Sequence, residues 1–453
     1  MLKVHFIAIG GSVMHQLAIA LCLKGYQVTG SDDEIFEPAT FNLKQHRLLP
    51  PTIGWDPSRI LPDLNAVILG MHAKADNPEI ERARQLGLKI YSFPEYIFEE
   101  SRNKTRIAIG GSHGKTSTTA IIMHALKHND KDFDYLVGAR LEGFSQSVNI
   151  TDAPIIVCEA DEYPASAIEK KPKFHFLFPH IAVLTGIAWD HINVFPTFDF
   201  YLEQFRIFLN KIEDGGVLIY NETDEVLRDL VNENKRPSVR YIPYNIPVHS
   251  ITDGKTTLEI DGVKITISVF GNHNLLNIHA GYFVCKELGI SATDYTRAIA
   301  DFNGASKRLE LLSRNEHTNV YRDFAHAPSK VIATMQAVKA QYPNRRLIAV
   351  LELHTFSSLN ENFMKEYRGA MDDANEAAVF YSQHALELKR MPHLPPSKIK
   401  EGFSKEGLEV FTDRLALEEW LLRRDYKEAN LLLMSSGNYD NMNLDKFSQG
   451  LPV

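Results

Sequence analysis

Ile107 to Thr119 reads Ile-Ala-Ile-Gly-Gly-Ser-His-Gly-Lys-Thr-Ser-Thr-Thr. A β-branched run enters a Gly-Gly turn, and Gly114-Lys115-Thr116 then opens a helix-compatible stretch. Glycine is needed where backbone N–H groups must approach a phosphate closely, and a helix N-terminus favours negative charge there. Gly111, Ser112, His113, Gly114 and Ser117 would line such a cradle. Lys115 can reach the β- and γ-phosphates of a nucleotide, and the Thr116 hydroxyl can ligate Mg²⁺. The segment departs from the general P-loop pattern at Ile109, where glycine is usual. The plainer alternative is a strand–turn–helix corner with an incidental Gly-Lys-Thr.

Two polar clusters follow. Glu159-Ala160-Asp161-Glu162 ends one apolar run, and Trp189-Asp190-His191 follows the next. Thr116, Glu159 and a neutral His191 together can hold one or two Mg²⁺ ions that bridge nucleotide and substrate oxygens. Taken singly, the acids read as a solvated loop and His191 as a structural histidine. Further on, Gly271-Asn272-His273-Asn274-Leu275-Leu276-Asn277 starts an expected helix. The amides of Asn274 and Asn277 can read an adenine edge, or simply cap the helix. Arg308 can neutralise a transferring phosphoryl group, and Asp323 can accept from a ribose hydroxyl. A surface charge pair accounts for either one in isolation.

The elements that position these groups are those of an α/β protein. Residues 2 to 103 alternate strand and helix: apolar runs at 4–9, 28–32, 65–69 and 89–91, with helical spacing at 14–23 and 78–86. This predicts a doubly wound unit, with a diphosphate favoured at the Gly10-Gly11 turn and Asp32 ending the second strand. Gly-x-Gly-x-x-Gly is not satisfied there. Residues 104 to 313 form a second unit that begins with the P-loop and grows β-rich over 217–270, where Asp261-Gly262 predicts a hairpin. A third α/β unit occupies 314–453, with strands near 320, 347–351, 378–381 and 430–434 and a loop at 392–399.

The 453 residues carry a net charge of −8, which argues against binding nucleic acid through phosphate neutralisation. No run approaches the 18 or so apolar residues that span a membrane. The three cysteines are dispersed in apolar segments and read as reduced core residues. A soluble cytoplasmic protein is expected.

The ordered set Gly-Ser-His-Gly-Lys-Thr, Glu-Ala-Asp-Glu, Asp-His, Gly-x-His-Asn-x-x-Asn, Lys-Arg-x-Glu and Asp-Phe-Ala-His-x-Pro, spread over 110–328, resembles the Mur ligase family. These are ATP-dependent amide-forming enzymes of peptidoglycan metabolism. The resemblance implies three domains, each with a mostly parallel sheet. They are a Rossmann-like UDP-sugar-binding domain at 1–103, a P-loop ATPase-like domain at 104–313 and a Rossmann-like amino-acceptor domain at 314–453. It implies UDP-sugar contacts from Gly10, Gly11, Ser12, Ser31, Asp32 and His72. ATP contacts would come from the P-loop, Asn274, Asn277, Arg308 and Asp323, and catalytic roles from Lys115, Glu159, His191, Arg308 and His326. ATP and Mg²⁺ are the implied co-substrate and metal, and a monomer or weak dimer is expected. Within the family, Glu159 to Tyr163 and Met434 to Asn438 are most similar to members that join UDP-N-acetylmuramate to L-alanyl-γ-D-glutamyl-meso-diaminopimelate. L-Alanine is the alternative acceptor.

Several positions depart from family patterns: Gly186, Arg322, Ala327 and Glu352-Leu353-His354-Thr355-Phe356. Phe205 or Arg206 stands where some members carry a carbamylated lysine, so none is expected here. The implied chemistry activates a carboxylate as an acyl phosphate, which an amine then attacks. His326 would orient the amine or take its proton, and the third domain would close over the nucleotide about hinges near 103 and 313. Two other classes compete. A nicotinamide-dependent dehydrogenase rests on the first glycine turn alone, and a non-enzymatic nucleotide switch rests on the P-loop.

Overall fold

Lys3–Ile7, Gln27–Ser31, Ala66–Leu69 and Ile90–Ser92 form a wholly parallel sheet, in which Lys3–Ile7 lies between Gln27–Ser31 and Ala66–Leu69. The crossover helix is Met14–Leu23, where the apolar spacing predicts it. Strand order reverses at Lys3–Ile7, so the Gly10-Gly11 turn sits at a topological switch point. The structure is a computed structural model and describes residues 1–139, 141–166, 168–189, 194–304 and 308–451. His191 and Lys307 therefore lie outside the described residues.

A seven-stranded sheet follows in the same compact unit, which comprises Met1–Asn245 and His279–Ser291. Its order is Arg240–Tyr244, Val217–Asn221, Ile181–Leu184, Thr105–Gly110, Ile155–Glu159, Asp134–Leu136 and Val148–Asn149, antiparallel only at the last pair. The P-loop strand is thus central, and the strands ending at Glu159 and Leu184 flank it. Ile107, Ala108, Ile109, Val157 and Val183 are all but fully buried, as expected for a parallel sheet covered on both faces. Against this sheet packs Phe198–Leu209, a helix started by Thr197, whose side chain accepts from Phe200 N. Phe174 stacks on Phe208 at 4.8 Å and meets Phe205 edge-on at 5.5 Å. Each such buried ring contributes about 2 kcal/mol of apolar burial, and together they fix the register of Tyr201 on the same helix.

The second unit comprises Ile246–Ile278 and Ala292–Val453. It opens with an antiparallel meander of His249–Thr252, Lys255–Ile260 and Val263–Ile267. Asp261 and Gly262 turn its second hairpin with φ of +44° and +78°, the left-handed pair that a tight two-residue turn demands. A six-stranded sheet follows, ordered Glu310–Arg314, Thr318–Asp323, Ala429–Met434, Arg346–Glu352, Glu376–Phe380 and Glu409–Phe411. Only its first pair is antiparallel. The chain is α/β with mostly parallel sheets, as the sequence predicts.

Two local expectations change. The helix Pro396–Phe403 begins inside the expected 392–399 loop, because Pro396 at its first turn gives up no hydrogen bond and brings a helical φ. The β-rich stretch 217–270 also holds the helix Glu225–Glu233, started by Asp224 accepting from Leu227 N at 2.9 Å. No helix among the described residues is long and apolar enough to cross a membrane.

Candidate active site

The P-loop strand ends at Gly110 and turns through Gly111 at φ +124° and Gly114 at φ +79°. A side chain at Gly111 would collide with Thr185 Oγ1, so glycine is required there twice over, by conformation and by space. Lys115–His128 then forms the helix, with Gly114 at its N-cap. Thr185 Oγ1 donates to the carbonyl of His113, and Ser112 N donates to Gly186 O at 2.9 Å. The turn is therefore fastened to the neighbouring strand end.

Three acidic residues face this helix start. Lys115 Nζ donates to Glu162 Oε2 and to Gly111 O, each at 2.7 Å. Thr116 Oγ1 donates to Glu159 Oε1 at 2.8 Å, and Asp161 pairs with Lys173 at 2.7 Å. Burial works against the Lys115 charge, but Glu162, Asp161 and Glu159 outweigh it and raise the pKa. For Asp161, burial is outweighed by Lys173 and Lys115, and its pKa falls. Lys115 and Lys173 thus sit among three carboxylates at the helix start.

Lys115, Thr116 and Glu159, assigned from sequence, are brought together. In the sequence Glu162 stands out only as part of the Glu159–Glu162 cluster, and Tyr201 carries no signal. Tyr201 OH lies 2.8 Å from Ser112 Oγ and donates to Glu162 Oε1 at 3.3 Å. Thr116 and Glu159 offer a hydroxyl and a carboxylate, the hard oxygens Mg²⁺ prefers. A Cβ on Gly138 would sit 3.4 Å from Glu159 Oε1, so glycine there leaves room beside the carboxylate. Among the described residues no three His, Cys, Asp or Glu side chains form a metal cluster. A cation here would take its remaining ligands from phosphate oxygens and water; His191, the third ligand expected from sequence, lies outside the described residues. On that count the residues fit a nucleotide-bound Mg²⁺.

At the first glycine turn, Gly10 N donates to Asp32 Oδ2 at 2.7 Å. The amide that a diphosphate would meet is held by a carboxylate whose pKa burial pushes up to about 6. Gly11 and Ser31 are buried, Gly10 is half-buried, and Ser12 and His72 are exposed. Ser31 Oγ donates to Glu79, which is buried beside His5. Its hydroxyl is thus committed inside the domain.

In the second unit, Asp323 accepts from Leu309 N at 2.6 Å, Ala325 N at 2.8 Å and Thr334 Oγ1 at 3.1 Å. Its carboxylate organises its own loop. The Arg308 guanidinium lies over the Phe324 ring at 4.6 Å, and His326 Nδ1 lies 2.8 Å from Phe324 O. Burial lowers the pKa of His273, with Asp323 opposing and Arg308 adding to the effect, so these three residues lie within electrostatic reach of one another. Asn274 Nδ2 donates to Phe270 O at 2.9 Å, a local bond to the backbone that is not the N-cap geometry, in which the side-chain oxygen accepts. Asn277 is buried.

Comparison with known proteins matches this organisation. Residues 3–105 match the Mur ligase family catalytic domain, 109–285 the Mur ligase middle domain, and 307–437 the Mur ligase glutamate ligase domain. The UDP-N-acetylmuramate–L-alanine ligase of Aquifex aeolicus is 30% identical over 379 residues, covering 80% of this chain and 81% of that one. The solved UDP-N-acetylmuramate-alanine ligase of Thermotoga maritima aligns with a TM-score of 0.69 at 21% identity over 99% of both chains. The murein peptide ligase of Psychrobacter arcticus aligns with a TM-score of 0.63 at 20% identity over 100% of both. The fold follows that of Mur ligases, including the murein peptide ligase. The chain belongs to the Mur ligase family, whose members are ATP-dependent ligases that form C–N bonds.

Proposed function

We propose that this chain joins the carboxylate of UDP-N-acetylmuramate to the amine of L-alanine in the cytoplasm, acting as a monomer or weak dimer. The observation that carries the ligase reading is the Lys115–Glu162 and Thr116–Glu159 arrangement at the start of the P-loop helix. A carboxylate is a poor acyl donor, so ATP must first activate it. Its oxygen attacks the γ-phosphorus, ADP departs, and an acyl phosphate results. Lys115 and the loop amides balance charge on the transferring group, and Arg308 adds a second cation. Mg²⁺, when bound through Thr116, Glu159 and His191, would offset repulsion between the two anionic reactants. The amine then attacks the acyl carbon, phosphate leaves, and His326 is placed in this reading as acceptor of the amine proton. Gly10, Gly11, Ser12, Ser31, Asp32 and His72 are assigned to the UDP-sugar, and Asn274, Asn277 and Asp323 to the adenosine. Parts at 1–103, 104–313 and 314–453 carry sugar, ATP and acceptor.

The 30% identity to an L-alanine ligase supports L-alanine. The motifs at Glu159–Tyr163 and Met434–Asn438 favour the tripeptide L-alanyl-γ-D-glutamyl-meso-diaminopimelate, which stays as the second reading. ADP release with UDP-N-acetylmuramate and ATP, comparing the two amines at equal concentration, decides between them. L-Alanine is expected to give the higher kcat/KM. Faster turnover with the tripeptide overturns the acceptor assignment, and no ADP with either overturns the ligase reading.

A further inference from the structure

Behind the P-loop lysine runs a buried hydrogen-bonded chain. The Glu162 side chain is 1% exposed and that of Lys115 14%. Tyr201, fully buried, donates to Glu162 and lies 2.8 Å from Ser112 Oγ. With the Tyr201 proton committed to the carboxylate, Ser112 is the donor in that second contact. Ser112 Oγ in turn accepts from Ala188 N at 2.9 Å. The chain therefore reaches from the segment after Leu184, through the P-loop, to the Lys115 ammonium. The Tyr201 ring is locked against Phe195 at 5.1 Å and Phe205 at 5.2 Å, which leaves its hydroxyl little freedom.

We propose that Glu162 and Tyr201 are positioning residues for phosphoryl transfer, holding Lys115 and Ser112 in register with the γ-phosphate path. The inference rests on the reading that Lys115 meets ATP phosphates. Stability alone is a weak reason for such a pair, because desolvating two charges offsets much of their attraction. A carboxylate beside the phosphate cradle also repels the nucleotide. It lowers affinity while it fixes the lysine, so the two effects separate when it is neutralised.

The test measures kcat by ADP release, ADP affinity by calorimetry and Tm, for Glu162→Gln, Glu162→Asp and Tyr201→Phe. Glu162→Gln is expected to cut kcat about tenfold or more while ADP binds equally well or up to about threefold tighter. Tyr201→Phe, which removes one oxygen and keeps the ring, should cut kcat about threefold with unchanged ADP affinity, and Glu162→Asp should restore part of the loss. Turnover within twofold of the parent in Glu162→Gln, or kcat and ADP affinity falling together, overturns the proposal (twofold being about 0.4 kcal/mol). Should Glu162→Gln fail to fold, Tyr201→Phe decides by the same criteria. Retained turnover in Lys115→Ala would instead sink the underlying P-loop reading.

Discussion

Thr116 Oγ1 donates to Glu159 Oε1 at 2.8 Å, while the second Glu159 oxygen accepts from Gly138 N at 3.0 Å. One carboxylate thus links the helix start to the segment after the Asp134–Leu136 strand, with each oxygen accepting one hydrogen bond from a neutral donor. Glu159→Gln keeps the shape but removes the charge that would help hold a divalent cation. We expect kcat to fall at least about a hundredfold and the Mg²⁺ needed for half-maximal rate to rise. A magnesium titration of ADP release checks this, and an unchanged midpoint would remove Glu159 from the metal set.

Lys115→Ala removes the cation at the cradle but touches nothing at the first glycine turn. Turnover should disappear, while calorimetric binding of UDP-N-acetylmuramate stays within about threefold of the parent. Loss of both would mean that the sugar and ATP sites are not separate, contrary to the proposed domain roles.

Gly111 sits at φ +124° and has no room for a Cβ beside Thr185. Gly111→Ala combines left-handed strain with a collision, and should cost about 2–4 kcal/mol of stability. A fall in Tm together with lost ADP release is the expected result. A variant of parental Tm would show that the turn has slack.

The P-loop, the apolar runs that become strands beside it and the Asp261-Gly262 hairpin were legible in sequence because each is a local pattern, whereas the order of the strands in the sheet was not. A β-branched run, a glycine at a left-handed position and a helix start lie within a few residues of one another. The partners of the site residues were not legible. Lys115 is 47 residues from Glu162, and Ser112 is 89 from Tyr201. Phe198–Leu209 reads as an ordinary amphipathic helix, and nothing in that pattern distinguishes the tyrosine whose hydroxyl turns inward. The same limit applies to Asp323, whose loop-organising bonds come from residues 309, 325 and 334.

Asp32 gives a pH prediction with a definite sign. Its folded pKa is raised to about 6 by burial, so the folded state holds the proton more tightly than the unfolded chain. Below about pH 4 both states are protonated and no penalty applies. As pH rises to 6 the unfolded chain ionises first and stability is lost, and above 6 the penalty is complete. Asp32→Asn can still accept from Gly10 N but does not titrate. Its Tm should therefore gain on the parent between pH 4.5 and 7.5, as read by scanning fluorimetry. A constant gap would place the Asp32 titration elsewhere.

Glu352 offers a test confined to the second unit. It is 2% exposed, accepts from Ser435 Oγ, and accepts from Tyr439 N at 2.8 Å, while burial raises its pKa. Gly437 packs so closely that a Cβ would lie 2.7 Å from His354 Cγ and 2.8 Å from Glu352 Oε2. The departure at 352–356 and the Met434–Asn438 motif are therefore one piece of structure. Glu352→Gln would substitute a donor for one acceptor oxygen and free the loop to shift. If this loop receives the amine, KM for the acceptor should rise about tenfold or more, while the ATP KM changes less than about twofold. Equal changes in both constants would point to general loosening of the unit. No change in either would place acceptor recognition away from Glu352 and the loop it pins.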